Sequence, residues 1–301
     1  MLLVLSGADR HTVVSPDGTR LAVREAGARA AATIVFVHGY PDTAAVWDPV
    51  LERLAADFHL VAYDVRGAGA SDIPRGVAAY DLQRLTDDFI AVSEAVSPGR
   101  PVHLVGHDWG GIQGWEFVTS LRCRGRIASY TTIAGPALSH GLRANREPMR
   151  RGRLREWWSH SRRSWYVLVL CAPGGPSFAW RVVMAGGRWR RALAQRELLP
   201  VDGDYPAPSL ASDGRHGANL YRANILPMIV RRTRPLASAH APVQLIIPEG
   251  DRFISPSYYD AAQRAAPGLR SHPVAGSHWA PRAQPDRVAQ LIAAFVSAQG
   301  A

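Results

Sequence analysis

One aspartate stands where a sharp strand-to-helix turn would hold a nucleophile. The stretch Leu104-Val105-Gly106-His107-Asp108-Trp109-Gly110-Gly111 reads as strand, turn and helix start, with small residues around the acid. In such a turn the strained backbone lifts one side chain clear of the sheet. A serine there would signal acyl transfer. A carboxylate signals attack on an electrophilic carbon, leaving an ester on the protein. Two more groups follow in the order that triads of this type use: Asp251, after the apolar run Val243 to Ile247, and His278, in Gly276-Ser277-His278-Trp279.

The roles follow from the chemistry of each group. A carboxylate needs no deprotonation at neutral pH, so Asp108 attacks directly when the target carbon is strained or carries a good leaving group. The resulting ester must then be cleared. His278 is suited to take a proton from water for that step, and Asp251 to fix its tautomer and stabilise its charged form. The segment His38-Gly39-Tyr40-Pro41 also follows a strand. The backbone N–H of Tyr40, with that of Trp109, is the expected oxyanion hole. His107 flanks the nucleophile and is expected to point away from the pocket. His59, His103, His216, His240 and His272 have no evident catalytic partners. Asp64-Val65-Arg66-Gly67-Ala68-Gly69 lacks the third glycine and the lysine of a phosphate loop, so it reads as a tight turn.

The elements that must position these groups are short apolar strands alternating with amphipathic helices. Thr33–His38, Leu60–Tyr63, Val102–Val105 and Ile127–Ile133 are near-continuous apolar runs, as strands buried on both faces require. Helices are expected at Val46–Ala55 and Leu82–Val96. The alternation predicts an α/β fold with a mostly parallel central sheet flanked by helices. From Ala137 to Ala239 the strand pattern lapses, and Arg, Trp and Pro become frequent. The sheet resumes at Val243–Ile247, with a helix expected at Pro256–Ala266, a strand near Arg270–Val274 and a last helix at Gln284–Ala298. The expected organisation is therefore a core of residues 1–136 and 240–301 interrupted by a helical cap, 137–239.

Composition narrows the class further. The chain has 301 residues, 47% of them hydrophobic, and its net charge of +10 is carried by arginine, since no lysine is present. Between Arg143 and Glu197 there are thirteen Arg against three Glu. No nucleic-acid recognition motif accompanies that charge, whereas an anionic membrane surface is a compatible partner for it. Cys123 and Cys171 are too few for a disulfide framework and are not spaced as metal ligands. The apolar start, Met1 to Leu5, is too short for a signal peptide. The longest apolar run, Trp165 to Ala172, falls well short of the roughly 20 residues of a membrane span. The expectation is a cytoplasmic protein, with peripheral membrane contact as an added hypothesis.

Taken together, His38-Gly39-Tyr40-Pro41, Tyr63 through Ser71, Gly106-His107-Asp108-Trp109-Gly110, Asp251 and Ser277-His278-Trp279 resemble the epoxide hydrolases of the α/β-hydrolase fold. The likeness spans nearly the whole chain. It is closest to the hydrolase half of actinobacterial proteins that join an epoxide hydrolase to a short-chain dehydrogenase, and these 301 residues parallel that half alone.

The resemblance implies two cap tyrosines that hydrogen-bond the epoxide oxygen and supply a proton as the ring opens. Tyr221, in Leu220-Tyr221-Arg222, matches the second site. Tyr166, seven residues before Pro173, matches the first, although the residues between them depart from the usual aromatic-rich pattern. His38, Pro41, Trp109 and Trp279 are expected to line the pocket. Ser277 stands where many relatives have Gly directly before the base. The substrate would be a small-molecule epoxide with water as co-substrate; neither cofactor nor metal is implied, and monomer and homodimer both stay open. Haloalkane and haloacid dehalogenases use the same Asp-His-Asp machinery and form the alternative. Tyr40, however, occupies the position of a halide-binding Asn, and no arginine pair follows Asp108 as fluoroacetate dehalogenases require. A non-catalytic protein that merely keeps the fold would not need Asp108, Asp251 and His278 together.

Overall fold

The computed structural model describes residues 9–161, 163, 165–185, 187–201, 205–230, 237–260 and 262–299. The apolar start Met1 to Leu5 and parts of the 137–239 segment lie outside the described residues. Eight strands form one sheet: β1 (Asp9–Val14), β2 (Arg20–Ala26), β3 (Thr33–Val37), β4 (His59–Tyr63), β5 (Val102–His107), β6 (Ile127–Ile133), β7 (Val243–Pro248) and β8 (Arg270–Val274). Their spatial order is β1-β2-β4-β3-β5-β6-β7-β8. The pairs β1–β2 and β2–β4 are antiparallel, and every pair from β4 through β8 is parallel. This is the α/β-hydrolase fold, with a mostly parallel sheet between helical layers.

Burial explains which strands form where. β3, β4 and β5 are buried along their whole length, so each is a continuous apolar run between two helical layers. β2 instead alternates buried and half-buried positions, the period-two pattern of a strand with one wetter face. Its polar residues, together with those of β1, form a hairpin that the apolar-run criterion does not detect. Helices α1 (Asp48–Leu54), α2 (Leu82–Val96) and α3 (Trp109–Thr119) cover the sheet. The Asp81 side chain caps α2 by accepting from the N–H of Arg84 at 2.8 Å.

Between β6 and β7 the chain runs through helices instead of strands. These are α4 (Leu138–Arg150), α5 (Leu154–Ser161), α6 (Trp165–Cys171), α7 (Gly175–Phe178) with a π turn at Ala179–Val183, α8 (Arg188–Arg196) and α9 (Leu210–Val230). Past β7, the expected helix Pro256–Ala266 is instead a 3₁₀ turn, Pro256–Tyr258, and a short helix α10 (Ala262–Ala265). Tyr258 and Tyr259 are both buried there, so two adjacent side chains turn inward where one regular helix face would take only one. The chain ends with α11 (Ala280–Ala283) and α12 (Pro285–Ser297). Among the described residues, no helix is long and apolar enough to cross a membrane.

Candidate active site

In a parallel sheet, groups that follow the carboxyl ends of neighbouring strands share one edge. The order β3-β5-β6-β7-β8 therefore brings the loops after β3, β5, β7 and β8 together, and with them Tyr40, Asp108, Asp251 and His278. Asp108 leaves β5 with φ of 50°, in the left-handed region that a non-glycine residue adopts only under constraint. Its neighbours make room for that turn. A Cβ on Gly39 would stand 2.5 Å from Asp108 Oδ1, so only glycine lets the β3 loop approach. That approach lets the Tyr40 N–H donate to Asp108 Oδ1 at 2.8 Å.

The other Asp108 oxygen faces the histidine. His278 Nε2 lies 3.4 Å from Asp108 Oδ2, and His278 Nδ1 lies 2.8 Å from Asp251 Oδ2. Asp251 is itself held, because its Oδ1 accepts from the N–H groups of Phe253 at 2.7 Å and Ile254 at 3.0 Å. Burial opposes charge on both members of the pair. The attraction between them outweighs it, so the Asp251 carboxyl stays below the usual range and the His278 imidazolium is held well above its own. His278 draws that support from Asp251 and from Asp108. His107 does point away from the site. Its Nε2–H donates to the His278 carbonyl at 3.0 Å, and burial lowers its pKa to about 4, so it braces the loop as a neutral ring.

The inserted helices close over this edge. The Tyr221 ring on α9 meets Trp109 at 4.9 Å, Tyr40 at 5.2 Å and Tyr166 at 6.1 Å, all edge to face. Tyr166 on α6 also meets Phe253 at 5.9 Å, and Phe253 touches the His278 ring at 5.1 Å. Burial first, and the nearby charge of Asp108 in addition, raise both phenols well beyond their ordinary range, so both stay protonated and able to donate. Thus the two tyrosines, 55 residues apart in the chain, come together above the carboxylate.

The remaining expected residues serve as braces. His38 Nδ1–H donates to the Gly39 carbonyl at 2.9 Å, and its Nε2 accepts from the Val65 N–H at 2.8 Å. Both ring nitrogens are thus engaged with backbone, and burial lowers its pKa. His38 and Pro41 line a small, water-sized pocket of ≈ 10 Å³ with Gly39, Tyr40 and Gln113. Trp279 packs edge-on against His278 at 4.9 Å. The segment Asp64–Gly69 is a turn, in which Asp64 accepts from the N–H groups of Ala44 at 2.8 Å and Ala70 at 2.9 Å.

Three functional neighbours escaped the motif reading. Buried Asp42 accepts from Tyr205 O–H at 2.9 Å and from Trp279 Nε1–H at 2.7 Å. Burial pushes its carboxyl up to about 6, against the pull of those two donors. Trp180 Nε1–H donates to the Tyr40 hydroxyl at 2.7 Å, which in turn donates to the Gly214 carbonyl at 2.8 Å. Each partner lies far away in sequence, so spacing carried no trace of it. Asp42 alone had a local cue, an acid next to Pro41 in a strand-end loop.

A profile of the Alpha/beta hydrolase family matches residues 34–291. The chain belongs to the alpha/beta hydrolase family. Within the family it is 34% identical over 292 residues to the probable oxidoreductase EphD of Mycobacterium tuberculosis, covering 94% of this chain and 48% of that protein. The chain thus spans about half the length of these EphD relatives. Epoxide hydrolase A of the same organism is 38% identical over 133 residues, 44% of this chain and 40% of its own. Among solved structures, a Bacillus megaterium epoxide hydrolase holding its diol product superposes with a TM-score of 0.78 over 95% of this chain and 100% of that one, at 22% identity. Among the described residues, no group of three or more His, Cys, Asp or Glu is placed to hold a metal ion.

Proposed function

We propose that this protein is an epoxide hydrolase that opens an epoxide to a vicinal diol through an ester on Asp108. Residues 137–239 would form the cap over a core of 1–136 and 240–301. The observation that carries the reading is a carboxylate 3.4 Å from a histidine base with two protonated phenols, buried Tyr221 and half-buried Tyr166, in contact beside it. Relatives named as epoxide hydrolases support it.

In the first step Asp108 Oδ2 attacks one ring carbon. The carbon–oxygen bond breaks, and its electron pair stays on the ring oxygen. Tyr166 and Tyr221 stabilise that alkoxide, and one of them supplies its proton. Esterification removes the Asp108 charge, one of the two that hold the proton on His278. The histidine then becomes more acidic and its proton passes to the tyrosinate, so a neutral base is available only after the nucleophile has reacted. His278 takes a proton from water, and the hydroxide adds to the Asp108 carboxyl carbon. The oxyanion at Oδ1 is met by the Tyr40 N–H, already 2.8 Å from that atom, with Trp109 as the second donor. Collapse breaks the bond from the carboxyl carbon to the ester oxygen. The added hydroxyl's proton leaves with that oxygen to give the diol, Asp108 is regenerated, and the proton taken from water stays on His278.

The test is the intact mass of His278→Gln after exposure to a panel of epoxides and alkyl halides. An adduct equal to a whole epoxide is the expected result. An adduct equal to an alkyl group without its halogen would replace this reading with a dehalogenase. Wild-type protein that turns over no epoxide, aryl or long-chain, would overturn the assignment.

A further inference from the structure

The cap leaves an unusual amount of apolar side chain in solvent, and it does so periodically. On α5, Leu154 and Trp158 are 64% and 65% exposed; on α6, Trp165 and Leu168 are 64% and 73% exposed. Phe178 and Val182, on α7 and the π turn, are also more than half exposed. Each pair is spaced three or four residues apart, so each segment shows solvent one apolar stripe. Helix α6 and the α7–π segment both pack on α9. The sides these two elements leave bare carry the exposed Trp165, Leu168, Phe178 and Val182. Exposed arginines surround these stripes, among them Arg150, Arg155, Arg181 and Arg190.

Charge decides what covers this surface. A second copy of the same face would set the exposed Arg150, Arg155, Arg181 and Arg190 against their own copies, which costs repulsion on both sides of an apolar contact. An anionic bilayer satisfies both features, since phosphate heads meet guanidinium groups while Trp, Phe and Leu enter the interfacial layer. We propose that the outer face of the cap docks on anionic phospholipid membranes. Resting on the epoxide-opening reading, it further assigns the substrate class, long-chain epoxides dissolved in the bilayer. Helix α6 links the two roles. Its outward side carries Trp165 and Leu168 while Tyr166 meets Tyr221 over the carboxylate, and a helix is only about 10 Å across.

The experiment is co-sedimentation of the wild-type protein with phosphatidylglycerol or phosphatidylcholine vesicles, at low and high salt. Binding is expected to the anionic vesicles alone, to fall about tenfold or more in 0.5 M salt, and to blue-shift the tryptophan emission. The triple variant Trp158→Ser, Leu168→Ser, Phe178→Ser is expected to lose about tenfold in partitioning. Its melting temperature and its turnover of a small soluble epoxide should stay at wild-type values, because all three side chains are more than half exposed. Wild-type protein left in the supernatant at low salt would overturn the docking. So would equal binding by the triple variant, or a wild-type dimer that the triple variant turns into monomer. Equal turnover of a long-chain epoxide in anionic and zwitterionic vesicles would overturn the substrate assignment. Sedimentation needs no epoxide chemistry, so failure of the enzymatic reading and failure of docking give different results.

Discussion

Core and cap meet at one site but are built by different means. The core strands β3, β4 and β5 are buried along their whole length, and parallel ladders hold them in register. Each strand end is fixed, so Asp108, Asp251 and His278 come within hydrogen-bonding reach without further support. The cap helices vary from four to 21 residues, carry Pro148 and Pro227 inside two of them and a π turn after α7, and are rich in exposed arginine and apolar groups. Their tyrosines are held by ring-edge contacts rather than by a ladder. The proposed nucleophile and base thus sit where position tolerates least change. Tyr166 and Tyr221, the proposed donors to the ring oxygen, sit on a layer whose outer surface is exposed.

If this division holds, the largest effects come from the core. Asp108→Ala should lower epoxide turnover by about 10⁴-fold or more, with a melting temperature within several degrees of wild type, since what is lost is the Tyr40 hydrogen bond and the contact to His278. Steady-state diol production together with a thermal melt checks both. Residual turnover above a hundredth of wild type would remove Asp108 from its role. His278→Gln comes next. It should complete ring opening once and stop, so a single burst equal to the enzyme concentration is the expected rapid-quench result. Continued turnover would mean that another base clears the ester.

The cap substitutions test the other half of the comparison. Tyr221→Phe should slow ester formation by about 10²- to 10³-fold while leaving ester hydrolysis near its wild-type rate. Tyr166→Phe should do the same. The double variant should fall short of the product of the two, because each phenol partly covers for the other at one oxygen. Stopped-flow tryptophan fluorescence separates the two steps. Equal slowing of both would show that the tyrosines only pack.

The two regions were also unequally legible. Thr33–Val37 and Val102–His107 stand out because strands buried on both faces must be apolar throughout. That Asp108, Asp251 and His278 come together followed from them, since a strand end is a fixed position. β1 and β2 were hidden because they pair antiparallel at one edge of the sheet, and β2 carries polar residues on a wetter face. In the cap, helical periodicity could place Tyr221 and Tyr166 only by resemblance. That both lie over Asp108, and that Trp165 and Leu168 lie outside, depends on which side of each helix meets α9. That side is set by tertiary packing, which local pattern does not encode. The Asp42 cluster was out of reach for a related reason: its donors are 163 and 237 residues away.

Asp42 gives the smallest and most discriminating prediction, because it is one of the places where cap and core are tied together. Tyr205 comes from the inserted segment and Trp279 from the core loop behind His278, and each donates to a different oxygen of the same carboxyl. Asn offers one acceptor for those two donors, so Asp42→Asn leaves one buried donor unmet, at a cost of about 1–3 kcal/mol. Turnover should drop only a few-fold, since no reacting atom is touched. The pH dependence carries the sharper test. The folded carboxyl titrates at about 6, above its ordinary value of 3.8. Between those values the native state binds the proton more than the unfolded chain does. This group therefore favours folding below about pH 4, and that advantage is lost as pH rises through 6. The wild-type melting temperature minus that of Asp42→Asn should accordingly shrink as pH goes from 4 to 7. A difference that stays constant would mean that Asp42 does not titrate in this range and that the cap is tied to the core by some other contact.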